Sequence, residues 1–482
     1  VEAKSIRSPL AGRSQALSSR AAALGVEKRG RNAEVGASAG SELCEDQDTV
    51  QEALVVDGPA QDGTRLKGGY ARPSFKWAVL HNWLYFIALG FSIPNLPRVI
   101  ATIVNEDGSA GVTPASTRLK GDVEAVDKIL TFCGVGFLGA LSDVKGRKPL
   151  MAWSALGFGL TLLIQGLTTQ TSHLYLADVV DGLSSCMGAV CTSYVADCSA
   201  PDKRAINLGV FQGLSVGGAF IIGFPVGGVL GAKLGYRVPL LIGAGLQLLN
   251  AFLIAFVTPE SLPASERAGR KLDLRKANPI GALKLLLGRN PLLTGSAVAY
   301  FLVYLAKLCL DSQFTDYALY KFGWGPAQSG PLLVLVGLML AIVPRMVVPR
   351  LGLKRSCLYG VGAFAVSQVA TGFAPTPEAF FASIFLTSVG CACVPALLAF
   401  IANQARPEER GAVIGAVGTV QELCGAIGFS VYSRLFAYAI SDDSPVKLPG
   451  ASFLASAAVL VPAFFVLQRT FRLAGAGAFE SV

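Results

Sequence analysis

Charge is what this sequence has least of: acidic and basic side chains make up 15% of its 482 residues, where a soluble domain carries about 25%. That scarcity excludes a soluble enzyme of two or three domains. Histidine is nearly missing, with only His81 and His173, so imidazole chemistry has little to work with. No Cys-x-x-Cys pair occurs among the ten cysteines, most of which lie inside apolar runs, so neither a disulfide framework nor a zinc site is supported. There is no His/Asp/Glu metal spacing, no phosphate loop of Walker type and no nucleophile elbow set on a strand-to-helix turn, which argues against an enzyme, an ATP-driven pump or a bound cofactor. Asn-x-Ser/Thr acceptors are absent too, so glycosylation says nothing about sidedness.

Apolar residues fill the space that charge leaves. Hydrophobic residues make up 52% of the chain and glycine contributes 54 positions, a composition of membrane helices that approach closely through small residues. From Trp77 onward, twelve apolar stretches are long enough, or nearly so, for the ~20 residues a bilayer requires. Their centres fall near Ala88, Gly134, Gly159, Ala189, Ile221, Leu248, Phe301, Gly337, Ala365, Val389, Ala426 and Val459. The formal net charge of +9 lies mainly in the N-terminal tail and in alternate short loops, which reads as membrane topology rather than a nucleic-acid patch. Lys145/Arg147/Lys148, Lys203/Arg204, Arg267 to Arg289, Arg350/Lys354/Arg355 and Arg406/Arg410 fall on one side, expected to be cytoplasmic or stromal, and both termini share it.

The expected organisation is an all-α membrane protein. Residues 1–72 form a tail rich in Ala, Ser, Gly and charge, which predicts disorder and is also compatible with the edge of an organelle transit peptide. A six-helix bundle over 73–257, a cytoplasmic linker over 258–291, a second six-helix bundle over 292–470 and a tail over 471–482 complete the chain. Two short echoes support related halves. Ala200-Pro201-Asp202-Lys203-Arg204 opens the fifth span and Arg406-Pro407-Glu408-Glu409-Arg410 the eleventh, while Gly223-Phe224-Pro225 is answered by Gly428-Phe429-Ser430. Parallel six-helix repeats with a site between them are how rocking carriers are built.

Between the second and third spans stands Gly139-Ala-Leu-Ser-Asp143-Val-Lys-Gly146-Arg147-Lys148. A carboxylate can sit at a helix N-terminus and the arginine can pair with acids at neighbouring helix ends, holding the two halves together in one state and releasing them in another. The fourth span carries Asp178 and Asp181, three residues apart and so on one face. Ionisable groups inside a span are costly and usually face a cavity or a partner. If the second span enters the bilayer near Gly121, Asp127 and Lys128 lie roughly 10 Å in, at about the depth of Asp181. Lys307 approaches from the opposite direction, and Gln421 and Glu422 lie near the midplane. These residues are the candidates for handling a proton and a polar solute, with buried ion pairs that only fix helix register as the other reading. In the first span Pro94 and Pro97 flank Asn95 ahead of Arg98, and either line the site or end the helix.

The loop matches the signature G-x-L-x-D-x-x-G-R-K of the major facilitator superfamily, which the chain resembles. Together with TSYVADCSAPDKRA after the fourth span and PESLP after the sixth, it is similar to the tetracycline-resistance type of drug:proton antiporters and the eukaryotic hippocampus-abundant-transcript-like group. The resemblance covers about 75–470 and is looser in the second half, where RLGLKR is a remnant of the loop. It implies twelve helices, alternating access, a gating role for Gly139, Asp143, Gly146, Arg147 and Lys148, and transport of a small organic solute, proton-coupled, by a monomer in a lipid bilayer. Gly223, Pro225, Gly227 and Gly228 resemble the antiporter signature G-P-x-x-G-G, with Phe224 where the family has proline. The family often has an arginine where Asp178 stands, so carboxylates are expected to carry the proton or face a cationic substrate. A carrier-like sensor or scaffold, or an uncoupled facilitator, is the alternative.

Overall fold

The computed structural model describes residues 72–200, 203–270, 272, 278–288, 290–405 and 409–474. The expected N-terminal tail, apart from Arg72, lies outside the described residues, as do Pro201, Asp202, part of the linker, Arg406 to Glu408 and 475–482 of the C-terminal tail. The described residues are helices and their connections, without a strand.

Ten helices are long and apolar enough to cross a bilayer, and two backbone features raise the number of spans to twelve. Pro326–Phe373, at 48 residues, is two spans meeting at Gly352, whose φ of 74° lies in the left-handed region that a side chain disfavours. The remnant RLGLKR therefore reverses the chain with almost no loop. The stretch 204–234 is one span interrupted by a π-helical turn, Ala219–Gly223, immediately before Phe224 and Pro225. In chain order the spans are α1 (Phe75–Val104), α2 (Pro114–Lys145), α3 (Arg147–Leu167), α4 (Thr171–Asp197), α5 (204–234), α6 (Arg237–Phe256), α7 (Pro291–Phe322), α8 (326–351), α9 (353–373), α10 (Pro377–Asn403), α11 (Arg410–Ile440) and α12 (Ala451–Leu473). The linker contributes two short helices, Ala264–Arg267 and Pro279–Leu287, the second packed on α11.

Large apolar side chains such as Leu167, Phe256, Tyr359, Val366 and Phe465 are exposed on the outside of the bundle, where a bilayer takes the place of water. Inside, α7, α9, α10, α11 and α12 share one core that includes Tyr317, Phe380, Phe436 and Phe453, with the Tyr317 and Phe453 ring centroids 4.9 Å apart. Smaller cores tie α1 to α3, α4 and α6. His81 is consumed by this packing: one ring nitrogen is 2.7 Å from Asn250 Oδ1 and the other 2.7 Å from Thr258 Oγ1.

The proline pair in α1 interrupts the helix without ending the span. The helix breaks at 93–95 and resumes at Leu96, and the Asn95 amide donates to the Phe91 carbonyl and to Gly227 O on α5, both at 2.9 Å. α2 starts seven residues earlier than the expected entry at Gly121, so Asp127 lies about 20 Å from the start of its helix rather than 10 Å.

Two seams join α1–α6 to α7–α12: α2 against α11, and α5 against α8. The end carrying Gly146 to Lys148 is the basic end here, and the other the distal end. Distally both seams are tight. A Cβ on Gly121 would lie 2.4 Å from Ser433 Cβ, and one on Gly228 2.4 Å from the Pro326 carbonyl oxygen. Arg98 Nη2 donates to Trp324 O (3.4 Å) across the same end. Toward the basic end the same helices present glycines that meet nothing within 4 Å: Gly209 and Gly217 on α5, and Gly411, Gly415 and Gly418 on α11. The seams are packed distally and looser basally, where a Cβ on Gly213 of α5 would still lie 3.6 Å from Arg345 Nη2 of α8.

Candidate functional site

At the basic end α2 runs to Lys145, Gly146 turns the chain at φ 107°, and α3 starts at Arg147. Two partial charges meet at that turn, the carbonyl end of α2 and the amide end of α3. Asp143 does not occupy the helix N-terminus expected of it. It lies in the last turn of α2 and accepts an ion pair from Arg147 Nη1 at 2.6 Å. The carboxylate on the α3 amides is Glu260, from the segment after α6, taking the Arg147 N–H (2.9 Å) and the Lys148 N–H (3.1 Å). A Cβ on Gly146 would stand 2.4 Å from Glu260 Oε2, so this turn is closed to larger residues for two reasons. Arg147 also donates through Nε to Asp197 at the end of α4 (3.0 Å) and through Nη1 to Ser142 (2.6 Å), while Arg267 Nη1 holds the Lys145 carbonyl at 2.7 Å. These partners come from α2, α4 and the segment after α6, with none from α7–α12 among the described residues. In this conformation the cluster braces one half and its linker, rather than joining the halves.

Gly223, Pro225, Gly227 and Gly228 place α5 against both α1 and α8. A Cβ on Gly223 would approach Ile87 O at 2.9 Å and one on Gly227 would approach Phe91 Cα at 2.7 Å, while Gly228 and Pro225 face Pro326 and Gly330 of α8. Gly223 and Gly227 are thus a close-packing surface on α1 within one half, and Pro225 and Gly228 one on the distal seam.

Near mid-depth the structure assembles a relay across the halves. Lys128 pairs with Asp127 at 2.8 Å and with Glu422 on α11 at 3.8 Å. Asp127 also accepts from Thr131 (3.3 Å). Asp181 lies within electrostatic reach of this group, with Oδ1 lacking a partner among the described residues. The Tyr85 hydroxyl on α1 feels the charges of Asp181, Lys128 and Asp127. Gln421 donates to the Tyr300 hydroxyl (2.6 Å), and the Tyr300 ring stacks on Tyr304. Lys307 stands aside from the relay, and Asp178, which feels the charges of Asp127 and Asp181, makes no ion pair with it among the described residues. Asp178 is buried and accepts from Gln165 of α3 at 3.1 Å, within one half. Lys307 pairs with Asp311 one turn along α7, over the Tyr304 ring.

Sequence reasoning missed the distal charges. Lys120 is 5% exposed and Asp316 2%; their side chains meet at 3.0 Å, and Lys120 Nζ also donates to Ser312 O at 2.6 Å. Arg434 of α11 pairs with Asp122 of α2 at 2.9 Å. Glu124 lies between, with no hydrogen bond or ion pair among the described residues. The signal was in the spacing: Lys120, Glu124 and Lys128 recur every four residues, on one helix face. Placing the bilayer boundary at Gly121 put Lys120 in a loop and hid the ladder.

Twelve spans in two bundles, seamed at α2/α11 and α5/α8 around a mid-depth charge relay, define a polytopic membrane carrier fold. The chain belongs to the Major Facilitator Superfamily, whose family model matches residues 82–429. It is 26% identical over 359 residues to the tetracycline resistance protein, class C, of Escherichia coli, covering 74% of this chain and 87% of that protein. Against hippocampus abundant transcript-like protein 1 of Homo sapiens it is 25% identical over 428 residues, covering 84% and 82%. Among solved structures, the human organic anion transporter MFSD10 (TETRAN) superposes with a TM-score of 0.61 at 21% identity over 82% of this chain and 99% of that one. A D-xylose-proton symporter superposes with a TM-score of 0.65 at 14% identity over 82% and 96%. These structural likenesses speak for the fold.

Proposed function

We propose that this protein is a proton-coupled secondary transporter that moves a small organic solute by alternating access, with 73–257 and 292–470 as the moving halves and 258–291 linking them. The basic end and both termini are assigned to the cytoplasmic or stromal side, following the loop cations. The observation that carries the reading is the Asp127–Lys128–Glu422 relay, which bridges the halves at mid-depth where the seams pass from packed to looser. A group that must be dismantled and rebuilt as the halves rock is well placed to sense a solute entering between them.

Asp181, with an unpartnered oxygen beside the relay, is the leading proton acceptor in the solute site, and Asp178 one turn away is the second. Protonation removes a charge from a confined site and changes the cost of closing around it, so the proton biases the swing. Tyr85, Tyr300, Tyr304 and Gln421 supply rings and polar groups for a small organic molecule. The glycines of α5 and the likeness to tetracycline resistance proteins support exchange of solute for protons.

Purified protein in liposomes, under an imposed pH gradient and offered cationic, neutral and anionic solutes, tests this. One solute class should drive proton flux, and Asp181→Asn should keep solute exchange while losing its proton dependence. No flux across the panel from folded protein, together with no tracer uptake, would overturn transport in favour of a sensor or scaffold. Uptake without proton flux would leave an uncoupled facilitator.

A further inference from the structure

We propose that Glu124 is a proton-binding site that controls whether the distal end opens, separate from the carboxylates of the solute site. The inference rests on the transport reading for its purpose and on α2 for its geometry. Glu124 lies one helical turn from each of two lysines, and both reach the opposite half of the molecule. Lys120 is held by Asp316 and the Ser312 carbonyl of α7, and closes the distal end. Lys128 is held by Asp127 and by Glu422 of α11. Glu124 is partly exposed and has no ion pair or hydrogen bond among the described residues, while Asp122, Asp127 and Asp316 around it are all paired with cations.

The charges that face Glu124 fix the direction of the effect. On its own helix these are Lys120, Asp127 and Lys128, and from α7 it faces Asp316. Asp178 on α4 feels its charge, Glu422 of α11 reaches it through Lys128, and Arg98 of α1 lies near Asp316. With Glu124 neutral, the Lys120 ammonium belongs to Asp316 and the distal seam holds. With Glu124 ionised, a second carboxylate one turn away competes for the same ammonium and repels Asp316, so the bridge weakens. Proton loss therefore favours distal opening and proton gain favours closure. A proton bound while the distal end is open closes that end behind it, before the solute site changes its side of exposure.

Hydrogen exchange of the full chain in lipid nanodiscs, followed by mass spectrometry between about pH 5 and pH 9 and corrected for intrinsic rates, reads the switch without any substrate. In the wild type, exchange over 114–120 and 316–322 should rise toward high pH by at least about fivefold, the low end of typical coupling factors. Glu124→Gln should hold both segments at the low-pH level throughout, and Glu124→Asp should keep the dependence with a displaced midpoint. A wild type that is flat with pH, or a Gln variant as pH-dependent as wild type, overturns the proposal. The liposome assay on the same proteins separates the two readings. A pH-switched wild type that moves no protons with any solute sinks the proton-coupled reading and leaves the switch, while coupled flux from a protein whose distal exchange ignores pH sinks the switch alone.

Discussion

Replacing Lys120 with methionine would keep the volume of its stem and remove its charge. The structure makes the cost calculable to an order of magnitude. Asp316 is 2% exposed and Lys120 is its ion-pair partner, at 3.0 Å, so the variant strands a buried carboxylate. Breaking a buried pair from one side costs about 3–5 kcal/mol. Opening the distal end wets Asp316 and relieves that cost. At about 1.4 kcal/mol per tenfold, full relief would shift the balance toward the distally open state by about a hundredfold to a few thousandfold. Water reaching Asp316 without full opening offsets part of that cost, which lowers the expected shift to at least about tenfold. Ser433 offers the readout, because it is fully buried beneath Gly121 at this end. A cysteine placed at 433 should react with a membrane-impermeant maleimide only when the seam opens, and site-resolved mass spectrometry distinguishes it from Cys133, which is exposed already. Lys120→Met should raise the labelling rate at 433 by that factor, and Asp316→Asn in the same chain should reverse most of the rise. Labelling that is unchanged by Lys120→Met would refute the assignment of this bridge as the distal closure.

Gly228→Ala puts a methyl 2.4 Å from a backbone oxygen of α8, so the helices must part by about 1 Å, at the roughly 1–3 kcal/mol of overpacking. Labelling at 433 should rise, whereas Gly188→Ala, with nothing within 4 Å, should leave it unchanged. Glu260→Gln keeps the shape of the α3 cap and removes the charge that faces two backbone amides. It should lower the thermal unfolding midpoint in detergent by an amount equivalent to about 1–2 kcal/mol, with the amides at the start of α3 exchanging faster. An unchanged midpoint would show that the cap carries no net energy.

The fold was legible because bilayer physics writes it in long apolar runs and cations at alternate turns, so centres such as Ala88 and Leu248 fall within α1 and α6. The site was legible only in part. Asp127, Lys128, Asp181 and Glu422 announced themselves as charges in apolar spans, and the structure gathers them near mid-depth. Lys307 announced itself equally, yet Asp311 satisfies it within a turn, a local pairing that needs the helix phase of both residues. Glu260 could not be assigned from its surroundings: its task is set by the return of the chain after α6 to the start of α3, 112 residues away along the sequence from Lys148. Asp143 drew attention to the right turn for the wrong end of a helix.

The empty faces of Gly209 and Gly217 on α5 and of Gly411, Gly415 and Gly418 on α11 carry one more consequence. Glycine weakens a helix relative to alanine by up to about 1 kcal/mol, and in this arrangement those positions gain no neighbour in return. Distally, Gly121 and Gly228 show what such positions are for when a partner helix lies against them. The bare basal faces thus read as a mould without its cast, the surface of a second arrangement in which α8 closes on α5 and α2 closes on α11. On the proposed alternating-access reading, the outline of the second shape is kept as positions left unfilled.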